Sequence, residues 1–386
     1  MLSKILAFFT AIIMFLFPSL NVPKAEADTD AWNTNYTCVF VHGLGGWGEY
    51  DASNIVMPYW GMKGGNLMKY LNGRGFDCHA ASVNPSGSAW DRACELYAQL
   101  TGTVVDYGKE HSERCHHDRY GEDFSKKPLI KSFSAENKIN LFGHSFGGAT
   151  ILMFLDLMAD GSEAEREATG QQELSPLFEG GKADWIYSLT TLAAPMNGTT
   201  ALNVADWVSG DPEATDAEMQ VVDTLTALSF KTHDGRIIED TAGYDMGIDA
   251  AQEMLAGFET QSGVYYFSVP CCASETNDGV TTLNGDIVES FYVLAGHRMA
   301  RYTGQTAGGI VLDESWQPND GLVNEKSAKA PFNAPQQDFD PDDIQPGIWN
   351  VYPTKTGDHM SLMGGLMLSY NIRPEYFEML DTINRV

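Results

Sequence analysis

Basic residues are scarce in this chain: 24 lysines and arginines stand against 52 aspartates and glutamates, for a net charge of -28. A surface that acidic repels phosphate backbones and anionic bilayers, which excludes nucleic acid and anionic membranes as partners. It suits a neutral substrate, helps to expel an anionic product and keeps the chain in solution. Long apolar runs are missing too. The longest, Ile5 to Phe17, covers about 13 residues where a bilayer core needs roughly 20, so no transmembrane anchor is expected. Lys4 before it, Pro18 at its end and Ala25-Glu26-Ala27 beyond give residues 1–27 the layout of a secretory signal peptide. A secreted protein starting at Asp28 is therefore expected. Cysteines number only six. Export would let them pair, with Cys38 and Cys78 as neighbours in adjoining strands, whereas a bond between Cys271 and Cys272 would be strained. No internal repeat and no low-complexity tract interrupts the chain.

The 386 residues, 43% of them hydrophobic, suffice for one large domain with insertions or for two small domains. Short apolar runs alternate with helical periodicity. Strands are expected at Tyr36–Val41, Phe76–Val83, Ile139–Phe142, Trp185–Ala194, Tyr265–Pro270 and Trp349–Tyr352. Between them Asn66–Leu71 and Trp90–Val105 read as helices, the latter with Ala93, Leu96, Tyr97 and Leu100 at helical spacing. This rhythm predicts a mostly parallel sheet covered by helices on both faces, over residues 28–386. Residues 106–137 are polar and rich in histidine, and break the rhythm as an insertion.

Gly143-His144-Ser145-Phe146-Gly147 fits G-x-S-x-G between a strand and a helix, the context of a nucleophile elbow in an α/β-hydrolase fold. Ser145 would be the nucleophile there. A serine hydroxyl needs a base, and the base needs an orienting acid, in the chain order Ser, Asp or Glu, His. Of His233, His297 and His359, the last follows the strand at Trp349 in a loop at a sheet's carboxyl edge and is the expected base. Two Asn-Asp-Gly turns offer an acid, Asp278 and Asp320; Asp320 lies one structural unit before His359 and is preferred, while Asp358 would face away. Upstream, His42-Gly43-Leu44-Gly45-Gly46 follows the first strand, where this fold builds half of an oxyanion hole. The expected donors are the N–H groups of Leu44 and Phe146. Asp91, His111 and His117, with Asp245 further on, are residue types that suit zinc, although spacing alone leaves Cys115 and His116 equally eligible.

Several longer motifs stand out: His42-Gly43 with Gly46-Trp47-Gly48, Tyr59-Trp60-Gly61, Trp90-Asp91-Arg92-Ala93-Cys94-Glu95, Val105-Asp106-Tyr107-Gly108, Ala194-Pro195 before Gly198-Thr199-Thr200, Tyr244-Asp245, and Asn319-Asp320-Gly321-Leu322-Val323-Asn324. In these motifs the chain resembles the zinc-containing bacterial lipases of the thermoalkalophilic group and, more distantly, the secreted staphylococcal lipases, a resemblance that runs from about Tyr36 to Gly364. It implies a triad of Ser145, Asp320 and His359, oxyanion donors at Leu44 and Phe146, and a structural zinc on Asp91, His111, His117 and Asp245. It also implies hydrolysis of acylglycerol esters at a lipid–water interface, under a helical lid within residues 201–240. Three features depart from the family, one of them a shorter segment after Thr200, where the family carries its lid. Gly143 and Phe146 replace the usual residues flanking the His-Ser pair. Ser361 and Gly365-Leu366-Met367 replace the acids of the family's calcium site, so calcium is not expected. A short-chain esterase, a zinc-dependent hydrolase and a non-catalytic lipid-binding relative are the competing readings.

Overall fold

Apolar runs whose alternate residues point to opposite faces need cover on both sides, and the chain supplies it. The computed structural model describes residues 28–170, 172–211, 214–230 and 238–386; the expected signal peptide and His233 lie outside the described residues. Seven strands form the central sheet: β1 (Thr37–Val41), β2 (Cys78–Ala81), β3 (Ile139–His144), β4 (Ile186–Leu192), β5 (Tyr265–Val269), β6 (Gln336–Asp338) and β7 (Trp349–Val351). All neighbours are parallel, in the order β6-β7-β5-β4-β3-β1-β2. The helices used below are α1 (Ala89–Thr101), α2 (Lys109–Cys115), α3 (Phe146–Asp160), α4 (Glu163–Ala168), α5 (Thr200–Gly210), α6 (Asp216–Phe230), α7 (Val293–Met299) and α8 (Arg373–Arg385).

On one face Val39, Val41 and Leu141 pack against Leu96 and Leu100 of α1 and Ile151 and Leu155 of α3. On the other, Phe40, Phe142 and Phe267 pack against Leu67, Leu71 and the α8 residues Tyr376 and Met379. Phe40 and Phe142, direct register partners, stack with centroids 4.5 Å apart. Burial on both faces is what a parallel sheet requires.

Two elements differ from expectation for identifiable reasons. Ser88 caps α1 by accepting the Asp91 N–H, but the helix stops at Thr101, not Val105, because Gly102 takes φ 65°. Val104–Asp106 then pairs antiparallel with Tyr120–Asp123, so the 106–137 insertion holds α2 inside a small hairpin. β6 is polar and exposed on an edge, and it carries no apolar signal. All six cysteines are free and buried; Cys38 and Cys78 are register neighbours, as expected, but remain thiols.

Candidate functional site

β3 runs straight into α3 through a single residue, Ser145, at φ 54° and ψ -129°. A non-glycine residue seldom takes such a conformation, and it persists only where its surroundings enforce it. They do so here. The Ser145 N–H is held by Leu192 O at 2.9 Å, and its carbonyl accepts the Gly148 N–H at 2.8 Å. A Cβ on Gly143 would fall 2.4 Å from Gly147 O, and one on Gly147 would fall 2.2 Å from Val41 O, so neither glycine can change.

The turn presents Oγ of Ser145 to Nε2 of His359 at 2.8 Å, and Nδ1 of His359 faces Oδ2 of Asp320 at 2.8 Å. The other Asp320 oxygen accepts the N–H groups of Leu322 and Val323 at 2.9 and 2.7 Å, and the His359 N–H donates to Asp320 O. Asp320 and His359 are 1% and 3% exposed, so water does not compete for these bonds. The structure thus brings together the three residues singled out in the sequence. Asp278 instead sits at φ 50° in the turn of an exposed hairpin, and His297 lies exposed on α7.

The glycine-rich loop after β1 lies against the serine: a Cβ on Gly43 would come within 2.7 Å of Ser145 Cβ. His42 beneath it is fully buried. Its Nε2 accepts the Val83 N–H, so Nδ1 carries the proton and donates to Gly43 O at 2.8 Å. Burial, then the nearby Arg92 charge, pushes its pKa down to about 3. Buried Arg92 donates to the His42 carbonyl, and its guanidinium lies 4.9 Å from the Phe146 ring centre. Among the described residues, the N–H groups of Leu44 and Phe146 have no acceptor within the protein.

A cavity of about 440 Å³ opens over Ser145 and His359. Leu44, Trp47, Phe291, Leu366 and Met246 make its walls apolar, and Leu202 of α5 with Val221 and Thr224 of α6 form its roof. Val222, next to Val221, packs on Val204, Val208 and Met299. α6 is tied down by Arg298 of α7, whose Nε reaches Glu218 at 2.8 Å and whose Nη1 reaches Asp211 at 3.4 Å. That guanidinium also covers Trp207 of α5 at 4.7 Å.

The wall beside His359 is fastened by a residue the sequence did not single out. Buried Glu289 takes the N–H groups of Leu366, Met367 and Leu368 on its carboxylate at 2.6, 2.7 and 3.1 Å. Its own N–H donates to Asp358 at 2.7 Å. A glutamate ahead of an aromatic pair, Phe291-Tyr292, offered no signature beyond its position. Tyr292 meets the His359 ring edge-on, 6.0 Å between centres. Ser361, in the region of the family's calcium site, donates to the Asp358 carbonyl at 2.7 Å.

The metal-type cluster requires a correction. Asp91, His111 and His117 come together as expected, but the fourth member is Asp240, not Asp245. The ligand atoms of all four lie within 4.8 Å of one another. Nε2 of His111 is 3.1 Å from Asp91 and 3.3 Å from Asp240; Nε2 of His117 is 3.8 and 3.5 Å from the same pair. Asp245 is carried away by the helical turn Ala242–Asp245, which Thr241 caps, and its carboxylate takes the Ala89 N–H at 2.6 Å. Burial raises its pKa to about 7. His117 donates from Nδ1 to Asp118 O, so its Nε2 lone pair faces the carboxylates. Cys115 sits behind His111, 3.8 Å from Nδ1, and His116 is exposed. Glu165 of α4 accepts the Glu110 and His111 N–H groups and fixes the start of α2. Two imidazole nitrogens and two carboxylate oxygens at this spacing, all buried, fit a tetrahedral zinc ion. Among the described residues, none of the four lines the cavity over Ser145.

Comparison with known proteins adds lineage to this geometry. A family model for the lipase-like C-terminal domain matches residues 34–214. Lipase 1 of Staphylococcus aureus (strain MRSA252) is 30% identical over 353 residues, covering 84% of this chain and 50% of that protein. The lipase of Staphylococcus hyicus is 30% identical over 372 residues, covering 89% and 56%. The chain spans about half the length of the curated relatives it matches. Among solved structures, EstA from Clostridium botulinum superposes with a TM-score of 0.78 at 30% identity, over 96% of this chain and 93% of that one. The Staphylococcus hyicus lipase structure gives 0.75 at 28%, over 95% and 98%. Sheet order, elbow and these likenesses agree: the chain belongs to the bacterial lipase family that includes the staphylococcal lipases, on an α/β-hydrolase fold.

Proposed function

We propose that the protein is an exported lipase that hydrolyses carboxylic esters of acylglycerols through an acyl-enzyme on Ser145. The observation that carries this reading is the unbroken row Ser145–His359–Asp320, 2.8 Å at each link, at the floor of an apolar cavity. Ser145 Oγ attacks the ester carbonyl carbon while His359 Nε2 takes its proton. The carbonyl oxygen becomes an alkoxide held by the Leu44 and Phe146 N–H groups, worth on the order of 3 kcal/mol per donor. As the intermediate collapses, the carbon–oxygen bond to the alcohol breaks and His359 protonates that oxygen. Water, deprotonated by His359, then attacks the acyl carbon; the carbon–Oγ bond breaks as His359 returns the proton to Ser145, and the released fatty acid gives up its own proton to the solvent. Asp320 stays ionised throughout, holding the Nδ1–H tautomer and offsetting the imidazolium charge.

Asp91, His111, His117 and Asp240 hold zinc in this reading, a closed four-ligand site that ties α2 and the insertion to the segment before Thr241. The lid is α5 with α6, whose apolar side turns toward lipid when Arg298 lets go. Export rests on residues 1–27; among the described residues no helix is long and apolar enough to cross a membrane. A serine-directed phosphonate tests the nucleophile: it should inactivate the protein stoichiometrically, and sparing it would turn the reading toward a metal-dependent hydrolase. An ester series tests the substrate. Activity on long-chain esters should rise abruptly as droplets form, whereas a smooth hyperbolic rise through the solubility limit would leave a simple esterase.

A further inference from the structure

We propose that Tyr59 and His144 are a positioning pair that locks the loop bearing the Leu44 N–H to the main chain of the base His359. The proposal rests on the serine-hydrolase reading above and deepens it. The structure leaves no freedom in where the protons lie. The His359 carbonyl can only accept, so His144 Nε2, 2.9 Å away, carries a hydrogen. His144 Nδ1 is then a lone pair, and the Tyr59 hydroxyl at 2.6 Å must donate to it. The Tyr59 oxygen accepts in turn from the Gly43 N–H at 3.0 Å. One hydrogen-bond chain therefore runs Gly43, Tyr59, His144, His359, and every member is buried.

Only the neutral Nε2–H form of His144 satisfies all three bonds. The other tautomer would set a lone pair against a carbonyl oxygen. The imidazolium would set a second N–H against the Tyr59 hydroxyl, whose own hydrogen would lose its acceptor, and would place a charge 4.9 Å from the His359 ring centre. Burial, and then the neighbouring His359, hold the His144 pKa well below its ordinary value. The pair thus keeps one arrangement while His359 gains and loses its proton in each half-reaction. It bears on chemistry because Gly43 abuts the nucleophile and precedes Leu44. A loop that drifts there carries an oxyanion donor off target, and a misplacement of about 1 Å can cost on the order of 100-fold.

The test uses Tyr59→Phe, His144→Gln and the double variant, with active sites counted by phosphonate titration and turnover measured on a soluble butyrate ester. Tyr59→Phe should lower kcat per titrated site about 30- to 100-fold with KM within about threefold, and the double variant should be no worse than its weaker parent by more than about threefold. A purely structural Tyr59 would lower the number of titrated sites and leave kcat per site alone. ¹⁵N-histidine NMR of the unaltered protein is the second measurement. His144 should give a neutral Nε2–H signal that does not titrate between about pH 5 and 9 and persists after phosphonylation; His42, of the opposite tautomer, cannot be mistaken for it. An unaltered protein that resists the phosphonate removes the serine-hydrolase reading itself. Normal labelling with wild-type kcat per site in Tyr59→Phe, or a spectrum lacking that non-titrating Nε2–H signal, removes the positioning pair alone.

Discussion

Asp320→Asn exchanges one oxygen for an NH2 group, and the surroundings decide which way the amide must face. One carboxylate oxygen takes two N–H groups, that of half-buried Leu322 and that of buried Val323, and the other faces His359. Putting the amide nitrogen toward the loop would strand both N–H groups, at about 1–3 kcal/mol each. The nitrogen must therefore face His359 and donate to Nδ1. The imidazole proton then moves to Nε2, and His359 presents a donor to Ser145 where a base is needed. Turning the amide back costs about 2–6 kcal/mol, which at about 1.4 kcal/mol per tenfold leaves the competent form at roughly one part in 30 to one part in 20,000. Loss of the charge beside the imidazolium adds to this, so kcat should fall about 10³- to 10⁴-fold. Turnover of a soluble nitrophenyl ester measures it, with near-ultraviolet circular dichroism and Tm confirming an intact fold. Activity within tenfold of the parent would refute the tautomer argument and the role given to Asp320 with it.

Zinc content separates the two aspartates of the metal segment: Asp240→Ala should lose stoichiometric zinc and melt several degrees lower, and Asp245→Asn should keep its metal. The reverse result by elemental analysis would reinstate Asp245. Half-buried Glu95 has its pKa pushed up to about 7, mainly by desolvation of its carboxylate, so the folded protein binds its proton more readily than the unfolded chain. Stability should accordingly fall as pH rises from about 4.5 to 7, and Glu95→Gln should flatten that slope by about 1–3 kcal/mol in urea unfolding. An unchanged slope would assign the pH dependence elsewhere. Arg298→Ala removes the tie on α6. It should raise activity on soluble esters about two- to fivefold and shrink the jump at droplet formation, with salt acting in the same direction on the parent protein. Interfacial kinetics identical to the parent would mean that the roof does not move as α5 and α6 together.

The parts of the site that sit beside a backbone device were legible in the sequence. Ser145 needs glycines on both sides and a strand before it, and His359 follows a strand end, so each carries its context within a few residues. Asp240 was not legible because its choice over Asp245 depends on a cap: Thr241 starts a helical turn that swings Asp245 round to the beginning of α1 and leaves the residue before it facing the histidines. An Asp immediately ahead of a Thr N-cap was the signal available, and the Tyr244-Asp245 likeness outweighed it. Tyr59, His144 and Glu289 join segments far apart in the chain, and nothing local predicts such meetings. β1, β3 and β4 were read to within a residue or two because they are buried on both faces, whereas β6 escaped because an edge strand can be polar throughout.

The elbow has a consequence for anyone improving this protein. Glycine tolerates the dihedral angles of Ser145 at no cost, and serine gives up about 1–3 kcal/mol to hold them. Ser145→Gly should therefore give a tougher molecule that does nothing. Directed evolution scored on heat survival alone would be drawn toward that dead end, and each round of selection must demand turnover from the survivors.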